Sequence, residues 1–289
     1  MSVRVFAPAK INLTLRVGHP RADGLHPLHS IVAFAADAGD YVEAAPAENL
    51  SLRITGPFAE GLAADESNLV LRAARALAQA AGKPARAAIT LEKNLPVASG
   101  IGGGSADAAA TLQALNQAWG LGWSAPQLAA LGATLGADVP VFFSSQRAAL
   151  MTGIGDICEP FETPVLNAVL LNPLRPLPTP EVYRRFDQMQ LGSVLVGNAS
   201  SWATTEHALS AISAAGNDLF APARALLPML DEMASMLRAL PQVRYVGLSG
   251  SGATMFGLCN DRAGAESAAR EMKTLRPDWW VRPARLGGA

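Results

Sequence analysis

The sequence predicts an α+β protein of two domains, and three observations carry that prediction. Its 289 residues make about two units at roughly 100–200 residues per domain, a length that one large α/β domain would also fit. The first third opens with short alternating segments and a glycine-rich run that leads into a helix, whereas from Ala168 onward helical and strand patterns alternate. Between them, Asn172-Pro-Leu-Arg-Pro-Leu-Pro-Thr-Pro180 carries four prolines in nine residues, too many for a helix or a central strand, and reads as an ordered crossing between domains. The expected division is 1–160 and 161–289.

Half of the residues are hydrophobic and 16% are charged, which excludes disorder, a collagen-like chain and a coiled coil. A net charge of −1 gives no global field for nucleic acid or an anionic membrane, so an anion has to be held by local geometry. Cys158 and Cys259 lie far apart and outside any C-x-x-C pair, which predicts neither a disulfide framework nor a zinc site and suits a reducing cytoplasm. No apolar run approaches the roughly 20 residues of a membrane span, and no signal-peptide stretch opens the sequence.

In chain order, Ile11, Leu13, Leu15 and Val17 alternate with Asn12, Thr14 and Arg16 as in a half-buried strand, with Lys10 and Asn12 on the polar face. Strands follow at Ser30–Phe34, Tyr41–Ala44 and Leu50–Ile54. Asn68 is placed to cap a helix through Ala81, with Gly82 and Pro84 beyond its end. A short strand at Ala88–Glu92 precedes the glycine loop from Pro96 to Gly104, which opens a helix from about Ser105 to Trp119. A helix over Pro126–Leu135 and buried strands at Val139–Phe143 and Ala148–Met151 complete the first half. The second half predicts strands at Ala168–Asn172, Tyr245–Ser249, Thr254–Leu258 and Trp280–Arg285, and helices at Pro180–Phe186, Ser201–Ala211 and Ala221–Leu240.

The strongest chemical signal is the loop Leu95-Pro-Val-Ala-Ser-Gly-Ile-Gly-Gly-Gly-Ser-Ala-Asp107. Its glycines let successive N–H groups converge on an anion, and the helix that follows offers unpaired N–H donors and the positive end of its dipole. This is a phosphate cradle, distinct from G-x-G-x-x-G, which would need glycine where Ser105 stands, and from Walker A, which needs Lys-Ser/Thr where Ser105-Ala106 stand. No nucleophile elbow surrounds Ser99, Ser105 or Ser249.

Lys10 is one of four lysines, and burial on a strand makes a lysine costly unless an anion or carboxylate pairs with it. On local context alone it reads as a strand-end lysine. Asp138 reads equally as a turn residue or a base, and nothing local decides between them. Of the four histidines, His26 follows the turn Asp23-Gly24, and no pair has metal-ligand spacing.

Taken together, the blocks Ala7-Pro-Ala-Lys-Ile-Asn12, Leu95–Ser105 and Leu248-Ser-Gly-Ser-Gly-Ala-Thr254 resemble the three ordered motifs of the GHMP kinase superfamily, a likeness that covers nearly the whole chain. Within it, Arg21-Ala-Asp-Gly-Leu-His26 and Gly136-Ala-Asp-Val-Pro140 resemble members that act on a cytidine diphosphate alcohol. The resemblance implies an N-terminal ATP-binding α/β domain, a C-terminal ferredoxin-like domain and a site between them, with ATP and Mg²⁺ as cofactors.

It also implies roles. Lys10 and Asp138 match the catalytic pair. Pro96, Val97, Ala98, Ser99, Gly100, Ile101, Gly102, Gly103, Gly104, Ser105 and Ala106 match the triphosphate loop, and Asn68 and Lys93 match positions near the nucleotide. Asn12, His26, Thr179 and Tyr183 match contacts to a small-molecule substrate with a cytidine diphosphate group. No metal-ligand set is named. The family often has tyrosine where Leu25 stands and glycine where Ala98 and Ser99 stand.

Overall fold

A computed structural model of the chain describes residues 1–192, 195 and 201–288. Along it run β1 (Val3–Asn12), β2 (Arg16–Val17), β3 (Leu28–Ala45), β4 (Ser51–Thr55), α1 (Leu69–Ala80), β5 (Ala88–Glu92), α2 (Gly103–Ala118), α3 (Ala125–Ala133) and a 3-10 turn at Pro140–Phe143. Then come β6 (Ala148–Thr152), β7 (Ile157–Pro160), β8 (Leu166–Asn172), α4 (Thr179–Gln188), α5 (Thr205–Ala215), α6 (Phe220–Leu226), α7 (Met229–Ala239), β9 (Val243–Leu248), β10 (Met255–Cys259), α8 (Arg262–Leu275) and β11 (Trp280–Leu286).

The chain folds into two compact units, each built from several stretches, so no single cut at 160 separates them. The first holds Met1–Ala9, Gly39–Val97 and Gly102–Ser144; the second holds Lys10–Ala38, Ala98–Ile101 and the described residues from Ser145 on. The proline-rich stretch lies wholly within the second unit and is no crossing between the two.

In the first unit β4 pairs parallel with β5, and β5 pairs antiparallel with β3 from Tyr41↔Glu92 to Ala45↔Ala88. Helix α1 buries Val70, Leu71, Ala73, Ala74, Leu77 and Ala78, the face its 3.6-residue spacing predicts. The side chains buried on α2 are mostly small, including Ala106, Ala109, Ala110 and Ala114, and share one core with Leu77, Ile89 and Leu91. Small residues let helices approach closely, and the larger Leu112 and Leu115 fill the remaining volume.

In the second unit four antiparallel strands lie in the order β11-β8-β10-β9. With α7 leading to β9 and α8 leading to β11, this is the ferredoxin-like βαββαβ arrangement. Val169, Leu171, Met255 and Val281 share one hydrophobic core with Leu230, Met233 and Leu237 of α7 and Met272 of α8. Full burial of each such side chain contributes about 1.5–3 kcal/mol.

Several elements differ from the sequence expectation. The strand expected over Ile11–Val17 ends at Asn12, because Leu15 turns its backbone to Gly216 and Asp218, donating to the first carbonyl at 2.9 Å and accepting from the second amide at 2.8 Å. The strands expected at Ser30–Phe34 and Tyr41–Ala44 are one 18-residue strand, continuous through an alanine-rich link whose hydrophobicity carries no period. Val139–Phe143 is a 3-10 turn opened by Pro140, whose fixed φ suits a first helical position and which cannot donate to a ladder. The helix expected over Ala221–Leu240 is broken at Pro228 into α6 and α7. Helix α8 and strand β7 are additional; α8 carries its start signal in Asp261, which accepts from Gly264 N at 2.7 Å.

Candidate active site

The glycine loop adopts the backbone its composition demands. Gly100 (φ +74°) and Gly102 (φ +67°) lie in the left-handed region, and Ala98 (φ +50°) lies there too, at the position where a glycine would be free of strain. Helix α2 starts at Gly103, two residues before the expected Ser105, with Gly102 as an N-cap that offers no side-chain hydrogen bond. The first N–H groups of α2 thus receive no hydrogen bond from an N-cap side chain, the arrangement an anion requires. Pro96 is buried, Val97 is exposed, and Gly104 and Ser105 lie at the start of the helix with Ala106 buried behind them.

In the second unit the three motif blocks are hydrogen-bonded to one another. Lys10 N donates to Ile101 O at 2.8 Å. Asn12 N donates to Ser249 Oγ at 3.1 Å, and Ser249 Oγ donates to Gly100 O at 2.9 Å. Thr254 Oγ1 donates to Ser99 O at 2.6 Å and accepts from Asn172 Nδ2 at 2.8 Å. Segment 98–101 is therefore held from both sides, and each hydroxyl satisfies a carbonyl that burial would otherwise orphan. The Asn12 amide donates to Ser30 Oγ at 2.8 Å, which fixes the side chain that the sequence puts on the polar face of β1. Lys10 is 4% exposed, with its ammonium 3.9 Å from Met151 Sδ.

His26 sits in a second cluster of the same unit. It is 8% exposed; Nδ1 lies 2.9 Å from Gly18 O and Nε2 lies 3.2 Å from Asp187 Oδ1. Tyr183 of α4 lies with its ring centroid 5.2 Å from the imidazole, tilted by 43°, and Phe186 meets the imidazole edge-on at 5.6 Å. Phe186 is fully buried, so Tyr183 is the aromatic ring of α4 with surface left to offer. Thr179, at the start of α4, shares a 2.7 Å hydrogen bond with Ser251 of the glycine-rich turn. Leu25 is about half exposed beside His26.

In the first unit Asn68 is the N-cap of α1, its Oδ1 accepting from Val70 N at 3.0 Å while Nδ2 donates to Ala63 O at 2.9 Å. Asp138 lies half-buried in the turn between α3 and the 3-10 segment. Lys93 is 3% exposed, and its ammonium donates to Asp40 Oδ2 at 2.5 Å and to Asp107 Oδ2 at 2.6 Å. Burial opposes its charge, but the carboxylates of Asp107 and Asp40 outweigh that and hold its pKa above the ordinary lysine value. Burial pushes the Asp107 carboxyl up to about 7, with Lys93 pulling against the rise.

A family model described as the GHMP kinases N terminal domain matches residues 68–146, and one described as GHMP kinases C terminal matches residues 195–277. The chain belongs to the GHMP kinase family. A 4-diphosphocytidyl-2-C-methyl-D-erythritol kinase from Cereibacter sphaeroides is 47% identical over 98% of this chain and 99% of its own. One of the same name from Paramagnetospirillum magneticum is 43% identical over 99% of each chain. A crystal structure of a 4-(cytidine 5'-diphospho)-2C-methyl-D-erythritol kinase superposes with a TM-score of 0.81 at 36% identity, covering 99% of this chain and 100% of its own. Homoserine kinase from Cytophaga hutchinsonii, at 19% identity and a TM-score of 0.72, shares the fold.

As a GHMP kinase the chain takes ATP as its phosphate donor. Sequence reasoning missed Asp40 and Asn172, and gave Asp107 and Ser249 no role beyond their places in the motif blocks. Asp107 carried a signal, since it is the sole acid on an otherwise alanine-rich helix face, whereas Asp40 looked like any polar residue of an alternating strand.

Proposed function

We propose that the chain phosphorylates the 2-hydroxyl of 4-diphosphocytidyl-2-C-methyl-D-erythritol with ATP, giving the 2-phosphate and ADP, in non-mevalonate isoprenoid precursor biosynthesis in the cytoplasm. The observation that carries this reading is the near-complete match, end to end, with relatives bearing that activity in their names. The loop supports a phosphoryl donor, because α2 starts without a side-chain cap and left-handed glycines lead into it.

Phosphoryl transfer asks the protein for positioning and charge neutralisation more than for covalent help. Within the loop, Gly102–Gly104 and the N-terminus of α2 hold the β- and γ-phosphates through backbone N–H groups. Asp138 orients the acceptor hydroxyl and takes its proton late, since an alcohol is far more basic than a carboxylate until its oxygen has bonded to phosphorus. Lys10 stabilises charge on the transferring group.

Asn12 and Thr179 position the alcohol, Tyr183 stacks on the cytosine and His26 reads its edge. Ser105, whose half-buried hydroxyl lies at the start of α2, would assist in holding Mg²⁺, an ion that needs few protein ligands when phosphates provide the rest. When bound it neutralises phosphate charge.

A substrate panel tests the reading. ADP release is expected with the cytidine diphosphate alcohol and not with homoserine or mevalonate; turnover of either of the latter in its place overturns it.

A further inference from the structure

Beneath the glycine loop, the buried Asp40–Lys93–Asp107 cluster has an arrangement that a nucleotide contact does not explain. Lys93 Nζ is spent on two carboxylates, and the ammonium lies only 3.1 Å from where a Cβ on Gly103 would stand. Two carboxylates against one ammonium give the cluster no surplus positive charge with which to attract phosphate.

What the cluster does possess is reach. Asp40 Oδ1 accepts from Asn94 N at 2.5 Å and from Leu95 N at 2.8 Å, the residues where the loop begins. Asp107 belongs to the first turns of α2, where the loop ends, and Thr111 Oγ1 donates to its carbonyl at 2.7 Å. Lys93 bridges the two acids. Gly103 has no positive φ, so its lack of a side chain answers to the close ammonium and not to backbone conformation.

We propose that Asp40, Lys93 and Asp107 form a clamp that holds the two ends of the nucleotide loop in register, so that Lys93 is a positioning residue of this loop and touches no part of ATP. The proposal rests on the reading that residues 96–106 hold the phosphates. A loop whose ends are fixed presents its N–H groups already converged, and small displacements of such groups are costly to catalysis.

The test compares Asp107→Ala, Asp107→Asn and Gly103→Val in steady-state assays that vary ATP and the alcohol separately. Asp107→Ala keeps the Asp40–Lys93 pair, and is expected to raise the KM for ATP about tenfold while leaving the KM for the alcohol within twofold. Asp107→Asn, which keeps an acceptor oxygen for Lys93, is expected to restore most of that loss. Should Asp107→Ala misfold, the triple variant Asp40→Asn/Lys93→Met/Asp107→Leu removes all three buried charges together, keeps an acceptor oxygen for Asn94 N and Leu95 N, and is expected to show the same selective weakening.

Tighter ATP binding in Asp107→Ala would mean that the acid acts by its charge, and an unchanged KM would mean that the clamp does nothing for the loop; either overturns the proposal. If Gly103→Val weakens ATP and Asp107→Ala does not, the clamp alone fails. If neither does, the phosphate-loop reading fails with it.

Discussion

Gly100 packs its α-carbon against the carbonyl of Gly252, so closely that a Cβ on Gly100 would stand 2.5 Å from that oxygen and 2.6 Å from the carbonyl oxygen of Ser249. The position combines this crowding with a φ of +74°. Gly100→Ala is therefore expected to cost about 2–4 kcal/mol, from left-handed strain plus overlap with two carbonyls that cannot retreat. Gly120→Ala shares the positive φ but meets nothing within 4 Å, and is expected to cost about 1 kcal/mol. Urea melts of the two variants check this; equal losses would show that crowding at Gly100 is unimportant.

Asp138→Asn keeps size and hydrogen bonding while removing the charge and the proton acceptor. A drop in kcat of roughly 10²–10⁴ is expected, with the affinity for nucleotide little changed. Activity within a few-fold of wild type in the coupled assay would reject Asp138 as the base.

At the other cluster, stacking on an aromatic ring is worth roughly 1–3 kcal/mol to a nucleobase, so Tyr183→Ala is expected to raise the KM for the cytidine substrate about tenfold. The KM for ATP should not move. Since Phe186 is fully buried it cannot take over the role, and an unchanged substrate KM would leave α4 without a stacking platform.

The Asp107 carboxyl titrates near 7 in the folded protein against an ordinary value near 4, because burial disfavours its charged form. Between these values the folded state binds the extra proton, so stability from this group is present at low pH and is lost as pH rises toward 7. Asp107 Oδ1 has no hydrogen-bond partner among the described residues, which makes the ionised form costlier still. Asp107→Asn cannot ionise. Its melting temperature is expected to rise relative to wild type between pH 5 and pH 8, and a relative fall over that range would show that the carboxylate is the favoured form.

Much of this was legible in the sequence. The cap at Asn68, the helix it starts and the glycine loop leading into α2 are local features, written in residues a few positions apart. The three blocks around Lys10, Gly100 and Ser249 were legible as motifs, but their mutual hydrogen bonds span 149 and 237 residues of sequence, and no local pattern encodes which hydroxyl meets which carbonyl. The Asp40–Lys93–Asp107 cluster stayed hidden for the same reason. Asp40 sits on β3, Lys93 just past the end of β5 and Asp107 on α2, and only the fold buries the three together. The helix break at Pro228 was written in the sequence and overridden in reading by the apolar period on either side.

The measurement that bears most directly on the central claim is ³¹P NMR of the product formed from ATP and the cytidine diphosphate alcohol. One new phosphomonoester signal, equal in amount to the ADP released and coupled to no proton because it sits on a tertiary carbon, is the predicted result. ADP released at the same rate without the alcohol, or a phosphate ester on a primary or secondary hydroxyl, would contradict the account.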